Sequence, residues 1–197
     1  MTLANALPGH LEVGAHLGPD EGACLMEAVS AAAGEPWSDA PVCTHPLVAH
    51  LARLVNDTVG DRARDELLAL VPQLTAPSRR DPATYAEVAR TCTGYALGFS
   101  RSLLLVHLHH VAERQLRPAS AGQRVTVGRR LMPGAWFRHG PAFRAVEAAV
   151  GACVGLPAGE RDQRLTAMLR RAVLVAVVPP AGQPASGRPR GLPVHSR

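Results

Sequence analysis

The sequence contains no lysine; all 21 of its basic residues are arginine. With abundant Ala, Gly and Pro, this bias reflects a GC-rich coding sequence rather than arginine chemistry. Long hydrophobic runs are also missing. The longest, Ser102–Leu108 and Ala172–Val178, are core-sized and fall short of the roughly 18 residues that span a bilayer. No membrane partner is therefore expected. The start, MTLANALPGHLEVGAH, has neither a basic opening nor a continuous apolar stretch, so it makes a poor secretory signal and the chain reads as cytoplasmic. No G-x-G-x-x-G, P-loop or G-x-S-x-G string occurs, which leaves the common nucleotide-binding and hydrolase folds without support. Neither a C-x₂-C pair nor an H-E-x-x-H string is present, and no internal repeat is found.

What is present is the composition of a folded body, 47% hydrophobic and 19% charged. At 197 residues the chain is long enough for one domain with a real core. Four cysteines (Cys24, Cys43, Cys92 and Cys153) occur without an export signal, so free thiols are expected rather than a disulfide framework. Cys92 and Cys153 lie in apolar helical contexts and read as small core residues. The net charge of +5 hides an asymmetry. Residues 1–100 hold 6 Arg and 12 acids, whereas residues 101–197 hold 15 Arg and 4 acids. The halves can attract each other, or the second half can attract an anionic partner, either an acidic protein surface or nucleic acid.

The apolar spacing is helical nearly throughout. After an irregular Met1–Pro19, Asp20 reads as the cap of a first helix with Ala23, Met26, Ala28, Val29 and Ala32 on one stripe, stopped by Gly34 and Pro36. A loop Glu35–Thr44 follows. Pro46 suits the first turn of a second helix, broken by Asn56, Asp57 and Gly60. Asp61–Leu74 repeats the pattern, and Pro82–Leu116 reads as a long helical stretch with Gly94 and Gly98 as weak points. Arg124–Val127 alternates like a minor strand. Ala142–Val154 and Arg161–Val178 read as the last helices, the latter ambiguous where β-branched residues gather. The expected fold is all-α: a single helical domain of five to seven helices over residues 1–178, with a disordered basic tail over 179–197.

Several constellations are chemically suggestive. Cys24 near a helix start feels the positive end of the dipole, which favours a thiolate nucleophile assisted by Asp39 or His45. Glu21 and Glu27 oppose that thiolate. Cys24, Cys43 and His45, with His10 or His16, are the right residue types for a zinc site, although the spacing is not a standard one; zinc is not the favoured reading, and the sequence identifies no cofactor. Trp37-Ser38-Asp39 reads as a loop anchor or a ligand-contacting loop. His107, His110 and Glu113 share a helix face of the kind that binds metal in bundles. The basic segment Arg114–Arg144, which includes Arg124, Arg129, Arg130 and Arg138, interleaves Trp136 and Phe137. Such a segment can track phosphates while its aromatics stack on bases.

The ordered run Gly22-Ala23-Cys24-Leu25-Met26-Glu27-Ala28-Val29, then Ala33-Gly34-Glu35-Pro36-Trp37-Ser38-Asp39, Pro41-Val42-Cys43, Pro46-Leu47-Val48 and Asn56-Asp57 resembles a family of bacterial and phage-encoded hypothetical proteins. The resemblance covers Gly9–Pro72 and implies a helical fold. Function therefore rests on the residues. A binding module whose Arg-rich half meets an anionic partner is favoured over a thiol enzyme using Cys24 and over a metal-stabilised structural protein. Oligomeric state does not follow from the sequence.

Overall fold

Proline and glycine punctuate this chain, and helices fill the spaces between them. The structure, a computed structural model, describes residues 7–116 and 137–177. Helix α1 (Leu25–Ala32) ends just before Gly34, whose φ of +70° suits glycine. Helix α2 (Pro46–Thr58) opens on Pro46, with the His45 side chain as its cap. Asp61–Leu74, expected as one helix, is three short pieces: α3 (Asp61–Asp65), a 3₁₀ helix (Glu66–Leu70) and a single α turn (Val71–Leu74). Pro72 lacks the N–H that a continuous helix would use.

Asp81 caps α4 (Pro82–Leu97) by accepting from the Thr84 N–H at 3.0 Å and the Thr84 hydroxyl at 2.8 Å. The stretch Pro82–Leu116 is two helices. It breaks at Gly98 and resumes as α5 (Leu103–Leu116). Gly94 is not a break. Its lack of a side chain lets the His109 ring of α5 approach, to 3.1 Å from where a Cβ would sit. Helices α6 (Pro141–Val154) and α7 (Ala158–Ala176) complete the bundle. The β-branched end of α7 stays helical to Ala176, and Val177 then makes an isolated antiparallel bridge with Ser78.

Helix α4 packs against α5, α6 and α7, while α2 closes the opposite side on α6 and α7. The buried side chains form one contiguous cluster that includes Cys92 and Cys153, both fully buried. The fold is all-α, as the spacing predicts. No helix among the described residues is long and apolar enough to cross a membrane. The expected strand at Arg124–Val127 and the Pro179–Arg197 tail lie outside the described residues.

Boundaries also differ from the sequence reading, among them the start of α7 at Ala158 rather than Arg161. Asp20 does not cap α1. Pro19–Glu21 forms a 3₁₀ turn, Gly22 adopts φ +117°, and Cys24 is the N-cap residue. Asn56 and Asp57 do not break α2, which carries both inside its last turn.

Candidate functional site

Ahead of α1, residues 9–18 form an irregular N-terminal strap, held by side chains that seize its backbone. Leu11 drops its side chain into the core, and its N–H donates to Asp65 Oδ1 at 2.8 Å. The Gly14 N–H donates to Asp57 Oδ1 at 3.0 Å, and the Glu12 N–H to the Ala23 carbonyl at 2.8 Å. Gly22 is required where strap meets helix: besides its positive φ, a Cβ there would sit 2.8 Å from the Glu12 carboxyl carbon.

Two buried polar side chains organise this joint. Glu27, 1% exposed, accepts from the His16 N–H at 2.6 Å, from His16 Nδ1 at 2.8 Å and from the Cys24 N–H at 2.8 Å. Burial pushes its carboxyl pKa up, but the donors from His16 and Cys24 outweigh burial and hold it below its ordinary value. Asn56, with no exposed surface, accepts from the Leu25 N–H at 3.1 Å. Its amide donates to the Glu12 carbonyl at 2.8 Å and to Asp57 Oδ1 at 3.0 Å.

The rest of the recognisable block is equally structural. Glu35 accepts from the backbone N–H groups of Val42 and Cys43. Trp37 Nε1 donates to the His16 carbonyl at 3.0 Å, tying the loop to the strap. Ser38 N–H donates to Ser30 Oγ at 3.2 Å. Arg53 donates to the Asp39 carbonyl at 2.7 Å and lies 3.7 Å from its carboxylate.

Cys24, Asp39 and His45 are not assembled as a catalytic set, for no hydrogen bond joins them among the described residues. Burial drives the Cys24 thiol up to about 12, and the neighbouring Glu27 charge adds to the rise, so it is a thiol and not a thiolate at neutral pH. Burial also raises the Cys43 thiol. Cys43 is the least enclosed of the four free cysteines. In the native protein, alkylation is expected first at Cys43, with Cys24, Cys92 and Cys153 labelled only on unfolding. Mass spectrometry of partly alkylated protein checks the order; Cys24 labelled first would restore a reactive thiol there.

His45 is the cap of α2, accepting from the Leu47 N–H at 3.2 Å through Nδ1. Its ring packs on Tyr85 with centroids 4.3 Å apart, and its Nε2 is buried without a hydrogen-bond partner among the described residues. Burial, reinforced by Arg80 and only partly offset by Asp81, pulls its pKa down to about 4. The unfolded chain therefore binds this proton first, between the ordinary value of 6.5 and about 4. Stability is full above pH 6.5, declines as pH falls through that window, and levels off below it, by up to about 3 kcal/mol. His45→Asn keeps an acceptor at the cap and is expected to flatten the decline in urea midpoints between pH 6.5 and 4.

The proposed zinc set of Cys24, Cys43 and His45, with His10 or His16, is not brought together. Cys24 and His45 cap different helices, the Cys43 sulfur sits 3.8 Å from the Thr44 hydroxyl, and His16 is committed to Glu27. His107, His110 and Glu113 fare no better. Glu113 turns toward His109 at 3.5 Å and His110 at 4.0 Å, leaving His107 exposed, while His109 also lies 2.9 Å from the Thr93 hydroxyl. Among the described residues no three His, Cys, Asp or Glu side chains are placed to share a metal ion.

The arginines divide by position. Besides Arg53, three of them in the first half clamp backbone. Arg64 donates to the carbonyls of Asn56 and Val59, Arg80 to those of Val42 and Thr44, and Arg79 to that of Val175. In the second half, Arg161 and Arg164 pair, among the described residues, with Asp162 and Glu160 of their own helix. Arg101, Arg114, Arg144, Arg170 and Arg171 are exposed. None of these seven pairs with a carboxylate of the first hundred residues, so the expected attraction between the halves does not take the form of ion pairs there. Arg138 lies over the Tyr85 ring, 5.9 Å from its centroid. Arg124, Arg129, Arg130 and Trp136 lie outside the described residues. Comparison with protein-family models, with curated proteins and with solved structures gave no match to this chain.

Proposed function

We propose that this chain is a small helical binding protein whose Arg-rich second half meets an anionic partner, an acidic protein surface or nucleic acid. One observation carries this reading: Arg101, Arg114, Arg144, Arg170 and Arg171 are exposed and form no ion pair among the described residues, whereas Arg53, Arg64, Arg79 and Arg80 of the first half are engaged by backbone carbonyls. An unpaired guanidinium is a strong, planar donor for carboxylate or phosphate. The net +11 of residues 101–197 adds a long-range attraction. In the Cys24 block, Glu27 and Asn56 are engaged in holding the strap.

The experiment is retention of the full chain on heparin, on immobilised single-stranded DNA and on polyglutamate, at increasing NaCl. Retention that falls steeply with salt on at least one of the three is expected. Passage through all three at low salt would overturn the proposal.

A further inference from the structure

The outward face of α5 carries apolar side chains that no described residue covers. The helix turns Leu105, Leu108, Val111 and Ala112 inward, where it packs on α4 and α6. Its first turn also sends Leu103, Leu104 and Val106 to the surface, 83%, 58% and 50% exposed. At about 100° per residue, Leu103, His107, His110 and Arg114 fall on one outward stripe, with Leu104 and Val106 on its flanks. His107, His110 and Arg114 are exposed, and so is Arg101 just ahead of the helix. The stripe therefore starts apolar and continues as nitrogen donors, with a guanidinium at each end. Arg101 and Arg114 pair with no carboxylate among the described residues. The helix sequence holds a single acid, Glu113, which turns to His109 at 3.5 Å and His110 at 4.0 Å.

Resting on the binding function proposed above, we infer that this face of α5 docks an acidic amphipathic segment of a partner protein. The segment's apolar side chains cover Leu103, Leu104 and Val106, and its carboxylates meet Arg101, Arg114 and the two exposed histidines. The two parts of the face select the occupant together. Exposed aliphatic side chains gain from cover by other apolar groups. Nucleic acid offers phosphates and sugars, and bases whose faces stack on aromatic rings or guanidinium planes, whereas the large apolar residues exposed here are all aliphatic. The guanidinium at each end repels a basic partner and attracts carboxylates. The remaining segments of this chain supply none, for residues 117–136 and 178–197 contain no Asp or Glu. A lipid surface is the poorer match. An interfacial helix needs an apolar stripe along its length, and this one is apolar for one turn before two histidines and an arginine follow. A partner helix laid along α5 shares its rise per residue, so one apolar turn followed by two or three turns bearing carboxylates matches the stripe.

The test uses the full chain and a fluorescent synthetic helix of about five turns, with Leu on one face of its first two turns and Glu on the same face of the rest. Its binding is expected to weaken with NaCl, and to be at least tenfold tighter than that of the same peptide with Ser in place of Leu. The triple variant Leu103→Gln/Leu104→Gln/Val106→Gln changes exposed side chains and no charge. It is expected to bind the Leu–Glu peptide at least tenfold more weakly, with retention on polyglutamate as in wild type. Arg101→Gln/Arg114→Gln is expected to flatten the salt dependence of peptide binding. Equal binding of the Ser peptide, or by the triple variant, would overturn the docking face while leaving the anionic-partner function standing. Tighter binding of (dT)15, or of phosphatidylglycerol vesicles, than of the Leu–Glu peptide would overturn the protein partner in favour of nucleic acid or a lipid surface. No binding to heparin, single-stranded DNA, polyglutamate or the peptide would remove the site and the proposed function together.

Discussion

Glu27→Gln is expected to destabilise the protein by about 4 kcal/mol, though it changes only one atom and leaves the surface untouched. Both carboxylate oxygens accept: Oε1 from the His16 N–H, Oε2 from His16 Nδ1 and the Cys24 N–H. A glutamine offers one oxygen and one NH₂, so whichever way it turns, a donor faces a donor. Each lost hydrogen bond to the charge is worth about 1.5–3 kcal/mol, and the Cys24 N–H makes its bond in a buried position. The urea midpoint should fall with the slope unchanged, and Tm should fall by about 10 °C. Amide exchange should speed up first in the strap, because the strap is what Glu27 holds. Glu66→Gln is the control. That carboxylate is largely exposed, pairs loosely with Arg62 at 3.8 Å, and should shift stability by less than about 0.5 kcal/mol. Acid acts on the wild type in the same sense. The folded carboxyl lies below its ordinary value of 4.5. Its stabilisation is therefore complete above that value, lost as pH falls through the folded pKa, and the gap between wild type and Glu27→Gln closes there. A variant as stable as wild type at pH 7 would mean that the carboxylate does not hold the strap.

How much of this was legible in the sequence follows from which forces leave a periodic trace. The stripe Met26, Val29 and the run Leu47, Val48, Leu51 and Val55 announce helices because burial repeats every 3.6 residues, and all six are buried. Pro46 and Pro82 mark helix starts for a reason local to the backbone. Glu27 and Asn56 leave no such trace. Pattern reading treats polar residues as solvent-facing, yet both are buried because their partners are N–H and C=O groups of a strap that has no period at all. One local signal did exist: Cys24-x-x-Glu27 has the spacing of a capping box, which moves the helix start from Asp20 to Leu25. The contact of Arg171 with the Tyr95 ring was invisible for a different reason. Tyr95 and Arg171 are 76 residues apart, and only the packing of α4 on α7 brings them together.

The same reasoning assigns Asn56 a second large effect, with a pH signature of its own. Asn56→Asp should lose about 4 kcal/mol at pH 7. The retained oxygen still accepts from the Leu25 N–H, but the other takes the place of an amide nitrogen lying 2.8 Å from the Glu12 carbonyl and 3.0 Å from Asp57 Oδ1. An anion is then buried against two acceptors, one of them charged, which raises its folded pKa above the unfolded value of about 3.9. The penalty is greatest above the folded pKa and shrinks as pH falls toward the unfolded one, because the protonated carboxyl can donate to the Glu12 carbonyl again. Asn56→Ala should lose a similar amount at pH 7 and keep that loss at pH 4.5, since nothing it introduces titrates. Urea midpoints of the two variants at pH 7 and 4.5 separate the cases. Parallel behaviour would show that the residue contributes packing alone, and that the strap closes on α1 without the bridge from its amide to Glu12. A restored Asn56→Asp in acid would place the bridge itself, one side chain joining α2, the start of α1 and the strap, at the centre of what keeps Cys24 enclosed.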